Sequence, residues 1–187
     1  MTATKDDREL LARLAKADQA ALRSYITRHQ LRVFRFIIRC VKNEAVAEEL
    51  TNEVFMDVWR HASKYEGRSQ PVTWLLSIAH NRAISSLRKR REEAWDDDKA
   101  GSLADEGDDP EVVAQKTDKS VQLRACLEQL SAEHKEIIDL VYYHEMSIAE
   151  VSEVIGIPEA TVKTRMFYAR KKLSDIMKAN GIDRGWP

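Results

Sequence analysis

The stretch SIAEVSEVIGIPEATVKTRMFYARKKL, residues 147–173, contains the signals for a short helix followed by a second, strongly basic helix. Ser147 and Glu150 form a capping-box pattern, in which the serine oxygen and the glutamate carboxylate satisfy free N–H groups at the start of a helix. Gly156 then marks a turn. The sequence therefore predicts a helix over about 148–155.

The second helix is predicted to begin at Pro158 or Glu159, because proline lacks only an N–H that the first helical turn leaves free. At about 100° per residue, its apolar side chains fall in one stripe that we expect to face the interior: Val162, Met166, Ala169, Leu173 and Ile176. The other sides carry basic, hydroxyl and aromatic residues: Lys163, Thr164, Arg165, Phe167, Tyr168, Arg170 and Lys171.

Two helices joined by a glycine turn, the second basic on its outer side, match the helix-turn-helix arrangement, which places its second helix in the DNA major groove. The cations would bind phosphates, and Thr164, Phe167, Tyr168 or Lys171 would reach base edges or thymine methyl groups. An ordinary solvated helix is the alternative, since charge runs usually face only solvent. Two neighbouring exposed aromatics favour a binding surface instead.

The whole chain is predicted to be all-α. It has 6 Gly and 4 Pro among 187 residues, and Leu, Ala, Glu, Lys and Arg are abundant, which favours helices over strands. Helical spacing of apolar residues runs over residues 8–91 and returns at Val121. The predicted fold is two small helical domains, 1–92 and 120–187, joined by a flexible acidic linker, 93–119, with the helix-turn-helix in the second domain.

The charges are segregated along these three segments. The first domain has 18 Lys and Arg against 11 Asp and Glu, a net charge of +7. The linker has 3 against 10, a net charge of −7, and the second domain has 9 against 10, a net charge of −1. Such segregation predicts that one region meets a polyanion while another avoids or mimics it.

A second nucleic-acid surface is predicted between residues 67 and 91, which carry six basic side chains and no acid: Arg68, Arg82, Arg88, Lys89, Arg90 and Arg91. On a helix over 72–91, the interior side is predicted to carry Val72, Leu75, Leu76, Ala79, Ala83 and Leu87. Asn81 on the other side is suited to a base edge, and Arg88 to a phosphate. Trp74 is either a stacking platform for an unpaired base or a core aromatic.

Several classes of protein are disfavoured by the sequence. The first residues are charged rather than apolar, and no stretch is long and apolar enough to span a membrane, so we expect no membrane insertion and a cytoplasmic protein. Cys40 and Cys126 lie far apart without the spacing of a zinc site, and we expect two buried free thiols. HEMSI at 144–148 lacks the second histidine of a zinc protease motif, and no phosphate loop or nucleophile elbow occurs. No catalytic site, metal or cofactor is predicted.

The stretch LEQLSAEHKEIIDLVYYHEMSIAEVSEVIGIPEATVKTRMFYARKKL, residues 127–173, resembles the promoter-reading domain of bacterial RNA polymerase sigma factors of the extracytoplasmic-function group. Two further stretches resemble the first conserved domain of the same group: DQAALRSYITRHQLRVFRFIIRCVKNEAVAEELTNEVFMDVWRHASKYEG at 18–67 and TWLLSIAHNRAISSLRKRR at 73–91. The resemblance implies a protein without an active site that directs RNA polymerase to particular promoters.

The resemblance also implies a division of the DNA contacts. The upstream promoter element would be read in duplex form by Lys163, Thr164, Arg165, Phe167, Tyr168, Arg170 and Lys171. The downstream element would be opened and held by the loop SKYEGRSQP, residues 63–71, and the helix after it, with contacts from Arg68, Trp74, His80, Asn81, Arg82, Arg88 and Lys89. An extruded base held in a protein site would favour the separated strand and read its sequence at once.

The partners implied are core RNA polymerase, promoter DNA and an anti-sigma factor. In AEELTNEVFMDVWRHA, residues 47–62, the apolar side carries Leu50, Val54 and Val58, and the outer side is predicted to carry Glu49, Asn52, Glu53, Met56 and Arg60. The family pattern assigns the outer side to a coiled-coil of the largest polymerase subunit, and the second domain to the flap of the second-largest subunit. The acidic linker would run through basic channels of the polymerase.

A free-standing DNA-binding regulator is the competing hypothesis. It would use the same helix-turn-helix and dimerise through the first domain, so it would bind a palindromic duplex tightly without polymerase. The basic first domain and the acidic linker fit this hypothesis poorly.

Overall fold

The computed structural model describes residues 2–96 and 118–182, with side chains described over 6–92 and 121–182. Every regular element in the described residues is helical, and the chain divides into two compact units. The all-α prediction with two helical domains is therefore confirmed. The predicted linker lies outside the described residues except for its two ends, which belong to helices.

Residues 2–96, the described part of the chain before the linker, form four helices and one short 3₁₀ turn: α1 (Thr2–Leu14), α2 (Gln19–Val41), α3 (Glu44–His61), the 3₁₀ turn (Ala62–Lys64) and α4 (Pro71–Asp96). Asp18 caps α2 by accepting hydrogen bonds from the N–H groups of Ala20 and Ala21, and Asn43 caps α3 by accepting one from Val46. Short polar side chains at these positions satisfy donors that a helix start leaves free.

The core of this unit lies where α2, α3 and α4 pack against one another. Its fully buried apolar side chains include Val33, Phe36, Val54, Val58, Leu75, Leu76, Ala79 and Ala83. The prediction that Leu87 faces the interior is wrong, because this side chain is 36% exposed. Residues 87–92 of α4 are all exposed, so the helix continues beyond the core that buries its first half. Val72 is half-buried.

Helix α1 is attached to α2 by a buried ionic contact as well as by leucines. Asp7 is 2% exposed, and its carboxylate lies 2.6 Å from Nη1 of Arg28 and 3.1 Å from Nε2 of His29. Burial raises the pKa of Asp7, but hydrogen bonds and charge from His29 and Arg28 outweigh it, so this pKa lies below its ordinary value. The leucines beside it on α1 are buried: Leu10, Leu11 and Leu14.

The second unit contains α5 (Asp118–Glu128), α6 (Ala132–Ile138), a π-helical segment (Asp139–Tyr143), α7 (Ile148–Ile155) and α8 (Glu159–Ala179). Helix α8 packs against α5 and α6. Asp139 and His144 at the two ends of the π segment are both buried, with Nε2 of His144 3.2 Å from the Asp139 carboxylate. Cys126 is buried as predicted, whereas Cys40 in the first unit is only half-buried.

No helix within residues 2–96 and 118–182 combines the length and apolar composition needed to cross a membrane.

Candidate nucleic-acid interface

Helices α7 and α8 form the predicted helix-turn-helix. The capping box is present: the Ser147 N–H donates to the Glu150 carboxylate at 2.9 Å, and the Glu150 N–H donates to the Ser147 hydroxyl at 3.3 Å. Gly156 ends α7 with φ of 70°, a left-handed conformation that glycine adopts without strain. Pro158 stands just before α8, so both helix starts agree with the sequence prediction.

The buried stripe of α8 is the predicted one: Val162, Met166, Ala169, Leu173 and Ile176. We call the remaining predicted set the α8 outer surface: Lys163, Thr164, Arg165, Phe167, Tyr168, Arg170 and Lys171. All of these side chains are exposed except Arg165, which is half-buried. Phe167 and Tyr168 are 63% and 54% exposed, and their rings meet edge to face at 5.4 Å. Two such rings in solvent are unusual unless a partner covers them.

Three of the four cations of the α8 outer surface, which we call the flanking cations, have different neighbours: Lys163, Arg165 and Arg170. Arg165 Nε lies 3.6 Å from the Glu133 carboxylate, and Lys163 Nζ lies 3.7 Å from that of Glu159. The Arg170 guanidinium instead lies over the Tyr142 ring, 5.7 Å from its centroid. An aromatic face attracts a cation without neutralising it, so this arrangement leaves the positive charge of Arg170 in place.

Sequence reasoning missed the aromatic residues of the π segment. Tyr142 and Tyr143 are 41% and 54% exposed, and Tyr142 contacts the edge of α8 through Arg170. Two consecutive tyrosines just before a capping box were the available signal. An α-helical wheel does not show which side of a π turn faces solvent.

In the first unit, the loop before α4 is organised by an aromatic pair. The rings of Tyr65 and Trp74 lie 5.3 Å apart, and the Tyr65 hydroxyl donates a 2.6 Å hydrogen bond to the Ser69 carbonyl. Trp74 is half-buried: its ring packs against Tyr65, and part of the residue is accessible to solvent. Its stacking on an unpaired base stays a prediction. Arg68 in this loop is exposed and pairs with Glu66 at 2.6 Å.

Among the predicted DNA contacts on α4, three are exposed, Asn81, Arg88 and Lys89, which we call the α4 outer surface. Arg88 Nε lies 3.7 Å from the Glu92 carboxylate, an exposed contact one helical turn apart. His80, predicted to lie beneath the loop, is half-buried.

Arg82, the remaining predicted DNA contact, is half-buried and pairs with two acids of the protein. Its Nε donates to the Asp57 carboxylate at 2.6 Å, and its Nη1 donates to the Glu53 carboxylate at 3.0 Å. Both acids lie on α3, so Arg82 joins the two helices. The sequence prediction missed these ion pairs because the partners are 25 and 29 residues away.

The outer side of α3 is exposed as predicted at Glu49, Asn52, Met56 and Arg60, and Glu53 is half-buried; we call these five residues the α3 outer surface. Met56 is 48% exposed among charged neighbours. A flexible apolar side chain in this setting is suited to burial against a partner.

Two family models match the chain: "Sigma-70 region 2" over residues 25–93 and "Sigma-70, region 4" over residues 120–173. Among relatives, the ECF RNA polymerase sigma factor SigK of Mycobacterium ulcerans is 29% identical over 176 residues, which are 91% of this chain and 93% of the relative. SigK of Mycobacterium tuberculosis is 29% identical over 174 residues, which are 90% of this chain and 91% of the relative.

Two solved structures share the fold. The sigma factor RpoE of Bartonella quintana, crystallised with the anti-sigma factor NepR, matches with a TM-score of 0.71 at 24% identity, over 87% of this chain and 98% of that one. CnrH, in complex with the cytosolic domain of CnrY, matches with a TM-score of 0.67 at 21% identity, over 92% of this chain and 97% of that one.

Two helical units, one of which carries a helix-turn-helix with a basic and aromatic outer surface, are typical of DNA-binding transcription factors. The order and extent of the two family matches narrow this class, and the chain belongs to the sigma-70 family, in its extracytoplasmic-function group. As a sigma factor it binds RNA polymerase and promoter DNA and directs the initiation of transcription.

Proposed function

We propose that this sigma factor divides promoter recognition between its two units. The α8 outer surface reads the upstream element as a duplex, and the α4 outer surface holds the downstream element as a separated strand together with Trp74 and the loop before it. The observation that carries the proposal is the exposed pair Phe167 and Tyr168 between flanking cations on the second helix of a helix-turn-helix. Cations there bind phosphates, and the central side chains meet base edges.

The first unit would open DNA without an energy source of its own. Such a protein must bind the single strand more tightly than the duplex, and it gains this preference by stacking and by hydrogen bonds to unpaired bases. The exposed part of Trp74 offers a stacking surface, and the exposed amide of Asn81 offers both a donor and an acceptor. Arg68, Arg88 and Lys89 supply the charge for the backbone.

The α3 outer surface is the proposed docking site for the coiled-coil of the largest polymerase subunit, with Met56 as its apolar centre and polar side chains setting the register. The second unit would contact the flap of the second-largest subunit. A protein that makes both proposed contacts works in the cytoplasm with the polymerase. The proposed path of the acidic linker through the polymerase falls on residues outside those described.

An anti-sigma factor is the proposed regulator. The structure of the sigma factor RpoE is a complex with the anti-sigma factor NepR. We propose that an inhibitor of this kind covers the α8 or α4 outer surface until a signal removes it.

Run-off transcription with purified core polymerase tests the proposed function. A genomic promoter library should yield transcripts with defined starts only when the sigma factor is added, and the chain alone should bind the same promoter duplexes weakly. Absence of any specific transcript would refute the proposal. Tight binding of a palindromic duplex without polymerase would instead support a free-standing regulator.

A further inference from the structure

The contact between α3 and α4 is built around Arg82, which holds two carboxylates at once. Its Nε and Nη2 lie 2.6 and 2.5 Å from the Asp57 carboxylate, and its Nη1 lies 3.0 Å from that of Glu53. The guanidinium therefore has an inner edge on Asp57 and an outer edge on Glu53. Planar donors arranged in this way match carboxylates and phosphates equally well.

The two carboxylates differ in how far solvent reaches them. The Asp57 side chain is 11% exposed, whereas the side chains of Glu53 and Arg82 are 42% and 37% exposed. Arg60 also approaches Asp57, but at 3.8 Å and from a largely exposed position. A buried carboxylate is costly without a cation, so the inner edge of Arg82 is fixed. The outer pair is half in solvent and can exchange partners at little cost.

Glu53 belongs to two surfaces. The Glu53 carboxylate pairs with Arg82 of α4. Glu53 also belongs to the α3 outer surface, where it lies between Asn52 and Met56 of the proposed polymerase contact. Arg82 adjoins Asn81, which belongs to the α4 outer surface. A cation or hydrogen-bond donor of the polymerase that binds Glu53 would therefore compete directly with the outer edge of Arg82.

We propose that Glu53 covers the outer edge of Arg82 in the free sigma factor, and that polymerase docking at Glu53 releases this edge to bind a phosphate of the separated promoter strand. Asp57 keeps the guanidinium in place throughout, so only one hydrogen bond changes partner. This inference rests on the proposed function, through the assignment of α3 to polymerase and of α4 to the strand.

The covering of Arg82 by Glu53 in the free sigma factor is tested by the binding of a fluorescein-labelled twelve-nucleotide oligothymidylate. This probe is suitable because a phosphate contact does not depend on sequence. For the free sigma factor, Glu53→Gln should tighten binding about threefold or more, because an uncovered arginine edge adds a charge-assisted contact. The slope of log affinity against log salt should steepen by about 0.7, the value for one further phosphate neutralised on a single strand.

Glu48→Gln is the matched control, because Glu48 is an exposed acid of α3 outside the α3 outer surface, and its loss changes the net charge equally. Equal affinities and slopes for Glu53→Gln and Glu48→Gln would overturn the proposal. The triple variant Glu53→Gln, Asp57→Asn, Arg82→Gln leaves no charge of this cluster buried without a partner. It should not show the tighter oligothymidylate binding expected of Glu53→Gln alone. A gain that persists without Arg82 would also overturn the proposal.

The release of Arg82 by polymerase docking is tested by the same oligothymidylate binding with holoenzyme at saturating core polymerase. There the difference in salt slope between wild type and Glu53→Gln should disappear, because docking has already released Arg82. A difference of the same size as in the free protein would show that docking does not act on Glu53, and would overturn the release step.

Failure of this inference is distinguishable from failure of the proposed function. If Asn81→Ala and Arg88→Ala holoenzymes open promoters like wild type, the assignment of α4 to the strand is wrong and the inference falls with it. If those variants impair opening while Glu53→Gln behaves like Glu48→Gln, only the exchange at Arg82 is wrong.

Discussion

At Arg170 the neighbouring group is an aromatic ring rather than a carboxylate. The two other flanking cations of α8, Lys163 and Arg165, each lie near an acid of the protein, so part of their charge is already balanced. The Tyr142 ring attracts the guanidinium of Arg170 while leaving its charge uncompensated. Among the three, Arg170 is therefore the cation best prepared to bind a phosphate.

Removing the ring should weaken upstream binding through Arg170. We expect Tyr142→Leu to reduce the affinity of holoenzyme for promoter duplex about two- to fivefold, from a cation–π contribution of ~0.5–1 kcal/mol, and Tyr142→Phe to retain it. Fluorescence anisotropy at fixed salt measures the change. Tyr143→Leu is the control, because that neighbouring tyrosine is also exposed, at 54% against 41% for Tyr142. A loss as large in Tyr142→Phe or in the control would contradict this role.

At the scale of elements, the turn of the helix-turn-helix depends on one backbone conformation. Gly156 has φ of 70°, and a methyl group added there would meet no atom within 4 Å. Gly156→Ala should therefore lower the free energy of unfolding of the second unit by about 1–2 kcal/mol through backbone strain alone. Chemical denaturation measures the loss. Gly156→Asn should cost less, because asparagine tolerates the left-handed region better; an equal loss would indicate a steric cause.

The attachment of α1 depends on pH. The folded-state pKa of Asp7 lies below the ordinary 3.8. The ionised Asp7 therefore stabilises the folded protein fully above that pH, and this stabilisation is lost as the pH falls below 3.8. We expect Asp7→Asn to destabilise the protein by about 1–3 kcal/mol at neutral pH. The difference from wild type should shrink on acidification below pH 3.8.

Urea denaturation of both proteins between neutral pH and about pH 3 measures this difference. Asp6→Asn provides the control, since Asp6 is exposed and its removal changes the same net charge. An Asp7→Asn deficit that stays constant on acidification would contradict the ionic role of Asp7.

Those parts of the fold that depend on local signals were predictable from the sequence. The capping box at Ser147, the turn at Gly156 and the proline before α8 act over a few residues, and they located both helices of the helix-turn-helix correctly. The apolar stripe of α8 was equally visible, because its 3.6-residue period lies within one helix.

Contacts between distant parts of the chain were not predictable in the same way. Arg82 was assigned to DNA because residues 67–91 carry six basic side chains and no acid and because the family resemblance places it beneath the loop. Its ion pairs with Glu53 and Asp57 of another helix could not be seen in that stretch. Asp7 reaches residues 21 and 22 positions away, and no local pattern marks that pairing. The exposure of Leu87 likewise depends on where the core of the unit ends, which a helical wheel does not show.

At the scale of the whole molecule, the two proposed DNA surfaces lie in different compact units. Substitutions at distant sites without shared partners add in free energy to within about 0.5 kcal/mol. We therefore expect the double variant Asn81→Ala, Arg170→Ala to show the product of the two single defects in overall promoter activity. Arg170→Ala should reduce duplex affinity and its salt dependence, and Asn81→Ala should reduce strand opening. Permanganate footprinting together with duplex binding separates the two steps; a double defect far from the product would contradict independent surfaces.

The Asp57–Arg82 pair restricts which substitutions this sequence can accept during evolution. Loss of Arg82 alone leaves the largely buried Asp57 carboxylate without its main cation and costs several kcal/mol, about 3–5 in comparable pairs. Simultaneous replacement by two apolar side chains of similar volume is close to neutral. Descendants of this sequence that have lost Arg82 should therefore have lost Asp57 as well, and a chain that keeps Asp57 without Arg82 should be rare.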